Sequence, residues 1–277
     1  MGKKSWFITG ASTGLGREYT LAALRRGDNV AAASIDPENM QDYTEEFGDS
    51  VLVQRLDVTD KNSVESCWNE AVRKFGYIDV CVNNAGFMQC GAIEEMTEAE
   101  ARGIFECNFF GTFFVTQKAA AHMRERRSGT IIQTSSLSAI DTIAAEGMYG
   151  ATKHAVLGMS EALYHELKPF GVHVVILEPG PIKTQMAKRA KLCKNRIHEY
   201  DEVLASELDR WGVGDYAGDV GDPKGCAKFV LKLADSENPP QHAIFTTFAV
   251  DIYRMSSAQR IKEAEDWMED IKGTDLN

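Results

Sequence analysis

Short apolar runs alternate with longer amphipathic stretches along this chain of 277 residues. The runs are too short for helices and too uniformly apolar for half-exposed strands, so they are typical of strands buried on both faces of a parallel sheet. The pattern predicts an α/β fold in which helices cover both faces of a doubly wound parallel sheet. The predicted strands are about Ser5–Thr9, Asn29–Ala33, Val51–Leu56, Ile78–Val82, Thr130–Gln133, Val172–Leu177 and Ala243–Thr246, and the predicted helices include Leu15–Arg26, Lys61–Phe75, Glu98–Arg127 and Met148–Leu167.

No linker, repeat or low-complexity tract interrupts this alternation, so we predict a single domain over residues 1–277. Residues 183–222 depart from the pattern. Their two charged stretches, Lys188–Lys194 and Glu199–Glu207, are typical of a pair of solvated amphipathic helices, and we expect the segment to form a mobile lid over a substrate site. Residues 251–277 are expected to form a helical tail.

Composition excludes several classes of partner. The net charge of −11 argues against nucleic acid and against an anionic membrane surface. No run approaches the ~18 apolar residues that span a bilayer. The six cysteines show no paired spacing and the six histidines stand singly. We therefore expect a cytoplasmic protein with reduced thiols and no metal, whose partner is a small molecule.

A glycine-rich turn follows the first predicted strand directly and reads Thr9-Gly10-Ala11-Ser12-Thr13-Gly14-Leu15-Gly16. Glycines allow a tight turn and let a pyrophosphate approach the backbone, while the N-terminus of the next helix supplies free N–H groups. The alternative is a plain connection between strand and helix. The turn lacks the Gly-Lys-Ser/Thr ending of a nucleotide-hydrolysing P-loop. Its position after an N-terminal strand favours a dinucleotide site.

Tyr149 and Lys153 lie four residues apart on a predicted helix, so their side chains share one face. A nearby cation favours the phenolate. We expect Lys153 to lower the pKa of Tyr149 from about 10 toward the working pH of a general acid or base. Taken alone, such a pair is more often an exposed polar contact on a helix.

A set of short motifs in one order decides between these interpretations. The motifs are Thr9-Gly-x-x-x-Gly-x-Gly16, Asp57-Val58, Asn83-Asn84-Ala85-Gly86, Asn108, Ser136, Tyr149-x-x-x-Lys153 and Pro179-Gly180-Pro-Ile182-Lys-Thr184. In order and spacing they resemble those of the short-chain dehydrogenase/reductases, from about Ser5 to Thr184. The tail, with Pro239-Pro240 and Asp266-Trp267, resembles that of members related to retinol or 17β-hydroxysteroid dehydrogenases. The resemblance implies a Rossmann fold and an NAD(P)-dependent oxidoreductase that acts on CH–OH groups.

The resemblance also assigns catalytic roles to four residues. Tyr149 would exchange a proton with the substrate oxygen, and Lys153 would lower its pKa and bind the nicotinamide ribose. Ser136 would hold the substrate oxygen, while Asn108 would bend its helix and hold a water that links to the lysine. Ser135 and Ser138 are rivals of Ser136 in sequence, but Ser135 would point to the opposite face of a continuing strand.

The same resemblance implies a set of cofactor contacts. Asn83 is expected instead to brace neighbouring strands through its amide. The implied contacts are Gly10, Ser12, Thr13, Leu15 and Gly16 in the turn, Ser34 and Asp36 after the second strand, Asp57 and Val58 at the adenine, Asn84, Ala85 and Gly86 along the ribose and nicotinamide, Tyr149 and Lys153, and Pro179, Ile182 and Thr184 at the carboxamide.

The choice between NAD and NADP rests on the end of the second strand. Ser34 stands where the family usually has a carboxylate, and Ile35 stands where it has an arginine. Thr13 replaces a cation that NADP-dependent members often carry. Asp36 lies nearby and would repel a 2′-phosphate, whose burial without a cation is costly. NAD is therefore favoured, and NADP stays the alternative because Ser34 can donate a hydrogen bond.

Apolar residues near the predicted site favour a hydrophobic alcohol or ketone of steroid, lipid or aromatic type. Long helices at Glu98–Arg127 and Met148–Leu167 form subunit interfaces in the family, which implies a homodimer or homotetramer. Two alternatives stay open: a sugar-nucleotide epimerase or dehydratase, disfavoured by the spacing of the glycines, and a non-catalytic dinucleotide-sensing or partner-binding protein. The candidate apolar lining is Met88, Ile140, Ile143, Met148, Met186, Leu192 and Trp211.

Overall fold

Seven parallel strands form the central sheet of the computed structural model, which describes residues 2–205, 207 and 221–276. The strands are β1 (Ser5–Thr9), β2 (Asn29–Ser34), β3 (Val51–Arg55), β4 (Val80–Asn83), β6 (Gly129–Thr134), β7 (Val172–Pro179) and β9 (His242–Phe245), with a separate short pair, β5 (Gln89–Cys90) and β8 (Lys191–Leu192). The sheet order is β3-β2-β1-β4-β6-β7-β9. The chain moves outward from β1 in both directions, which is the doubly wound Rossmann arrangement predicted from the sequence.

Helices cover both faces of this sheet. The bounds of the helices predicted at Leu15–Arg26, Lys61–Phe75 and Met148–Leu167 agree with the structure to within one residue, whereas a π-helical segment divides the helix predicted at Glu98–Arg127. The helices are α1 (Gly14–Arg25), α2 (Gln41–Phe47), α3 (Lys61–Phe75), α4 (Glu98–Phe105), α5 (Thr112–Arg126), α6 (Gly147–Leu167), α7 (Pro223–Asp235), α8 (Thr247–Asp266) and α9 (Met268–Lys272), and the π-helical segment (Glu106–Gly111) joins α4 to α5.

The central strands bury both of their faces. Trp6 and Ile8 of β1 point to one side and pack with Tyr19 of α1, while Phe7 points to the other side. There the Phe7 ring meets Trp68 of α3 at a centroid distance of 5.0 Å. The three β1 side chains are 0% exposed. Burial on both faces explains why these strands are uniformly apolar rather than alternating.

The structure differs from the prediction at Lys188–Lys194, which is not an α-helix. A single 3₁₀ turn at Ala187–Arg189 is followed by β8, which pairs in parallel with β5. The N–H of Cys193 donates to the carbonyl of Cys90 at 2.8 Å. These bonds to a distant strand hold the backbone extended, and the local charge pattern does not reveal them.

The rest of the predicted lid is only partly described. Residue 206 and residues 208–220, which include Trp211, lie outside the described residues, as does part of Glu199–Glu207. Among the residues that the structure describes, no helix is both long and apolar enough to cross a membrane.

Candidate active site

A cleft of about 1260 Å³ opens at the carboxyl ends of the strands. Its walls come from the loops after β1, β2, β3, β4, β6 and β7, and from α8. It is larger than a pocket for one small ligand, so it has room for a dinucleotide beside a substrate. The predicted site residues that line it are Gly10, Ser12, Thr13, Leu15, Ser34, Asp36, Asp57, Val58, Asn84, Ala85, Gly86, Ser136, Tyr149, Lys153, Pro179, Ile182 and Thr184.

Three positions in the turn after β1 require glycine. Gly10 and Gly14 have φ angles of +66° and +56°, in the left-handed region that favours glycine. Gly16 does not line the cleft. A Cβ built on it would lie 2.2 Å from the carbonyl oxygen of Gly10, and only glycine lets α1 begin this close to β1. The resulting backbone cradle at the N-terminus of α1 fits a pyrophosphate.

A hydrogen-bonded clamp fixes the ends of β1 and β4 to each other. The hydroxyl oxygen of Thr9 accepts from the N–H groups of Asn84 and Ala85, both at 3.0 Å. The Asn84 amide donates to the carbonyl of Thr9 at 3.0 Å. Asn83 braces the interior as predicted, because its amide donates to Gln133 of β6 at 2.9 Å and to Thr116 of α5 at 3.0 Å.

The end of β2 carries hydroxyls and a carboxylate. The Ser34 and Ser12 hydroxyls are 2.8 Å apart, and Asp36 lies beside them in the cleft wall. The guanidinium of Arg189 donates to the Thr13 hydroxyl at 3.3 Å. A cation from the segment after β7 therefore stands next to the Thr13 side chain. Sequence reasoning missed Arg189 because the contact spans 176 positions.

Tyr149 and Lys153 meet in the floor of the cleft. The Lys153 Nζ lies 5.6 Å from the centre of the Tyr149 ring and donates to the carbonyl of Thr134 at 2.8 Å. Both side chains are buried, with 6% and 5% exposure. Burial disfavours the ammonium and lowers the pKa of Lys153 to about 8.

The pKa of Tyr149 shifts in the direction opposite to our expectation. Burial raises this pKa well above its ordinary value, and the hydrogen bond with Ser136 opposes the rise only in part. The prediction considered the charge of Lys153 and neglected the cost of placing a phenolate in a buried site. The phenol is therefore a protonated group at neutral pH.

The three neighbouring serines differ in their hydrogen-bond partners. Ser135 donates to the main-chain carbonyl of Lys153 at 2.9 Å, which ties β6 to α6. Ser136 faces Tyr149 and lies 3.3 Å, oxygen to oxygen, from Ser138. Ser138 in turn donates to the Glu146 carboxylate at 2.6 Å. Ser136 is thus the serine beside the phenol, and Glu146 is a buried acid that sequence reasoning missed.

Asn108 lies inside the π-helical segment and does not line the cleft. Its amide oxygen accepts from the N–H of Phe87 at 3.0 Å, and its amide nitrogen donates to the carbonyl of Phe87 at 2.9 Å and to Thr152 at 3.2 Å. It therefore joins the irregular helix to the loop after β4 and to α6. Such π-helical turns are frequent at functional sites.

The apolar wall only partly matches the predicted one. Met88, Ile143 and Met186 line the cleft, whereas Ile140, Met148 and Leu192 do not. Two further apolar side chains, Phe248 and Ile252, come from α8.

Two side chains of α8 fasten this helix to the loop after β6. Ser256 donates to the carbonyl of Ile140 at 3.2 Å, and Arg260 donates to the same oxygen. Neither contact has a signal in the sequence, because the partners lie more than a hundred residues apart.

Comparison with known proteins agrees with this geometry. The family described as short chain dehydrogenase matches residues 4–194. The oxidoreductase BOA17 of Botryotinia fuckeliana is 32% identical over 96% of this chain and 97% of that protein. The structure of a short-chain dehydrogenase from Streptomyces avermitilis matches with a TM-score of 0.90 and 33% identity, covering 99% of this chain and 100% of that one. The NADPH-dependent 3-dehydrocapnine reductase of Ornithobacterium rhinotracheale is 32% identical over 73% of this chain and 74% of that protein.

The chain belongs to the short-chain dehydrogenase/reductase family. It is an oxidoreductase whose cofactor is a nicotinamide dinucleotide, and its partner is a small-molecule substrate. The cleft has room for such a cofactor, and the glycine cradle at the N-terminus of α1 fits its pyrophosphate.

Proposed function

We propose that this protein interconverts a hydrophobic secondary alcohol and its ketone, with Tyr149 as the general acid and base. The observation that carries the proposal is the Tyr149 phenol, buried beside Lys153 and Ser136 in the wall of the cleft. The nicotinamide, when bound, supplies or accepts the hydride. The chain itself must bind the substrate oxygen and move its proton.

The electrostatics of the site suit proton donation. A phenol whose pKa is raised by burial stays protonated at neutral pH and can protonate a ketone oxygen as negative charge develops there. Lys153 then stabilises the phenolate as a nearby cation. Ser136 donates a second hydrogen bond to the same oxygen. Asn108 would hold a water that carries the replacement proton toward Lys153.

An apolar wall supports a hydrophobic substrate. Met88, Ile143, Met186, Phe248 and Ile252 all face the cleft, and burying apolar substrate surface against them contributes to binding. The relationship of this chain to retinol or 17β-hydroxysteroid dehydrogenases stays a prediction, as does the cytoplasmic location.

The proposed cofactor is NAD, with NADP as a second candidate. The Asp36 carboxylate in the wall of the cleft favours ribose hydroxyls over a 2′-phosphate, whereas the Ser34 hydroxyl can donate to either. The guanidinium of Arg189 beside Thr13 favours NADP, because a phosphate gains from a cation. Comparing kcat/KM for the two reduced cofactors decides this, and a preference for NADPH that Arg189→Gln abolishes would establish the second candidate.

An apolar groove supports the predicted homodimer or homotetramer. It has a volume of about 620 Å³ and lies between α5 and α6, where Phe113, Met159 and Phe170 line it. We propose that a second copy packs here. Placing a charge at the exposed Ala121, as in Ala121→Glu, should shift the sedimentation of the protein toward a monomer. An unchanged sedimentation coefficient would contradict this interface.

The activity is tested by following the absorbance of the reduced cofactor with hydroxysteroids, aromatic ketones and small polar sugars. We expect turnover with the apolar compounds and a loss of about 10²–10⁴-fold in kcat for Tyr149→Phe. NADH binding by that variant, measured by fluorescence, should be unchanged. Turnover unaffected by the substitution would remove Tyr149 as the proton donor. Cofactor binding without turnover of any compound would favour the non-catalytic alternative, and turnover of sugar nucleotides alone would favour the epimerase.

A further inference from the structure

Glu146 is a buried carboxylate in the wall of the cleft, with 4% exposure. It precedes α6 and stands three residues before Tyr149. Aspartate or serine at this position commonly caps the first N–H groups of its helix. In the described structure this side chain makes no capping bond, and its Oε2 accepts instead from the Ser138 hydroxyl at 2.6 Å. The carboxylate is therefore directed at the loop that carries the active-site serine.

The hydrogens of this cluster can be assigned by counting donors. An ionised carboxylate only accepts, so the single hydroxyl hydrogen of Ser138 is committed to Glu146. Ser138 can then offer only its oxygen to Ser136, whose own hydrogen points toward it across 3.3 Å. The N–H of Ser138 also donates to the Ser136 oxygen at 3.1 Å. The N–H of Ser138 thus holds the Ser136 oxygen in place, and the Ser136 hydrogen leaves its long bond to Ser138 when it turns toward a substrate oxygen.

The four side chains form one buried line from the phenol to the carboxylate. Ser136 and Ser138 are 7% and 8% exposed, so little water competes with the bonds between them. In such surroundings hydrogen bonds polarise each other and fix side-chain orientation.

We propose that Glu146 is a positioning residue: by holding the hydrogen of Ser138 it prevents Ser138 from donating to Ser136, so the Ser136 hydroxyl stays a donor that can turn from Ser138 to the substrate oxygen. The inference rests on the proposed function, because it adds a residue to that same site. Glu146 does not contact the reacting atoms in this arrangement. It acts through Ser138 on Ser136, which is the serine proposed to contact the substrate oxygen.

The charge of Glu146 has a second consequence. A negative charge near a phenol disfavours the phenolate, and Glu146 raises the pKa of Tyr149 in addition to burial. Among the described residues, the titratable groups that face this region are Asp141 of the loop after β6, Lys153 of α6, Cys90 of β5, Cys193 after β8 and Glu207. Burial raises the pKa of Cys90 to about 12, so that thiol stays neutral. Removing the charge of Glu146 should therefore ease ionisation of the phenol.

Two variants separate orientation from charge. Ser138→Ala breaks the line and should lower kcat on the order of tenfold with little change in KM. Glu146→Gln keeps an acceptor for Ser138 but removes the charge, so the rise of alcohol oxidation with pH should move to lower pH. Thr142→Val is the matched control, because Thr142 donates to the main-chain carbonyl of Ser138 at 2.6 Å and lies outside the line. It should leave both quantities as in the wild type.

A crystal structure of Ser138→Ala tests the orientation without a substrate. We expect the Ser136 side chain to leave its wild-type rotamer. An unchanged rotamer, or wild-type kcat and pH profile in both variants, would overturn the inference, as would an equal loss in Thr142→Val. Failure of the proposed function would give a different result, because Tyr149→Phe would then retain turnover. If only the inference fails, Tyr149→Phe loses turnover while Ser138→Ala and Glu146→Gln keep it.

Discussion

The proposed nucleotide wall of the cleft, built on the turn at residues 9–16 and on the ends of β2 and β4, differs in construction from the proposed substrate wall, which comes from the loop after β6, residues 183–191 and α8. The first wall depends mainly on the backbone and the glycines of one short turn. The second wall uses side chains from distant segments. Ser256 of α8, for example, is 116 positions away from Ile140, whose carbonyl accepts its hydrogen bond.

This difference has a physical origin. A pyrophosphate is recognised by N–H groups and by the end of a helix, and any chain that makes the turn supplies them. An apolar substrate is recognised by the shape and area of the side chains around it. The nucleotide wall should therefore tolerate no added atoms, and the substrate wall should respond gradually to changes in side-chain size.

The largest effect is expected from Gly16→Ala in the nucleotide wall. The added Cβ would lie 2.2 Å from the Gly10 oxygen and 2.5 Å from the Asn84 amide, and neither can move without shifting β1 from β4. We expect NADH to bind at least about a hundredfold more weakly and the free energy of unfolding to fall by about 1–3 kcal/mol. Fluorescence titration and urea denaturation measure the two quantities.

Gly158→Ala is the control for this substitution. Gly158 lies within α6 and a Cβ there would meet nothing within 4 Å. It should stabilise the helix by about 0.5–1 kcal/mol and leave NADH binding unchanged. Wild-type cofactor affinity in Gly16→Ala would show that the cradle adapts, and the contrast between the walls would fail.

A second effect is expected at Lys153, where the two walls meet. Its pKa is about 8 in the folded protein and 10.5 for an ordinary lysine, so between these values the unfolded chain binds more protons. The stability of the wild type should therefore rise with pH through this window, by about 3 kcal/mol at most. Lys153→Met loses this dependence, and its stability relative to the wild type should decline between about pH 7 and pH 10.

Urea denaturation at about pH 7 and about pH 10 measures the difference in stability between the variant and the wild type. Lys168→Met removes an exposed lysine near the end of the same helix, and its stability relative to the wild type should stay constant over the window. A constant difference for Lys153→Met as well would mean that Lys153 titrates as it does in the unfolded chain.

The smallest effect is expected from Ile252→Ala in the substrate wall. The change removes three carbon atoms from a side chain that faces the cleft. We expect KM for an apolar ketone to rise by about tenfold, since differences of this size in an apolar pocket contribute about 1–3 kcal/mol. NADH affinity should not change.

Met255→Ala on the same helix provides the comparison. Met255 is 67% exposed and does not line the cleft. Equal kinetic effects of the two substitutions would indicate that α8 affects the reaction through the stability of the helix. The assignment of α8 to the substrate wall would then be wrong.

The sequence predicted the parts of the molecule that depend on local pattern. The bounds of β1 and α3 agree with the prediction to the residue, because burial on both faces and helical periodicity act over short stretches. The irregularity at Asn108 was expected and corresponds to the π-helical segment. The predicted helix at Lys188–Lys194 was wrong, because pairing with β5 outweighs the local charge pattern.

The sequence by itself determined the fold, the glycine cradle and the approach of Tyr149 to Lys153, since each follows from spacing on one element or from the order of strands. Only the tertiary structure decided the direction of the Tyr149 pKa shift and the cation beside Thr13. Burial and contacts between distant segments set these properties. Both arise when separate elements pack together, and no single stretch of the chain encodes them.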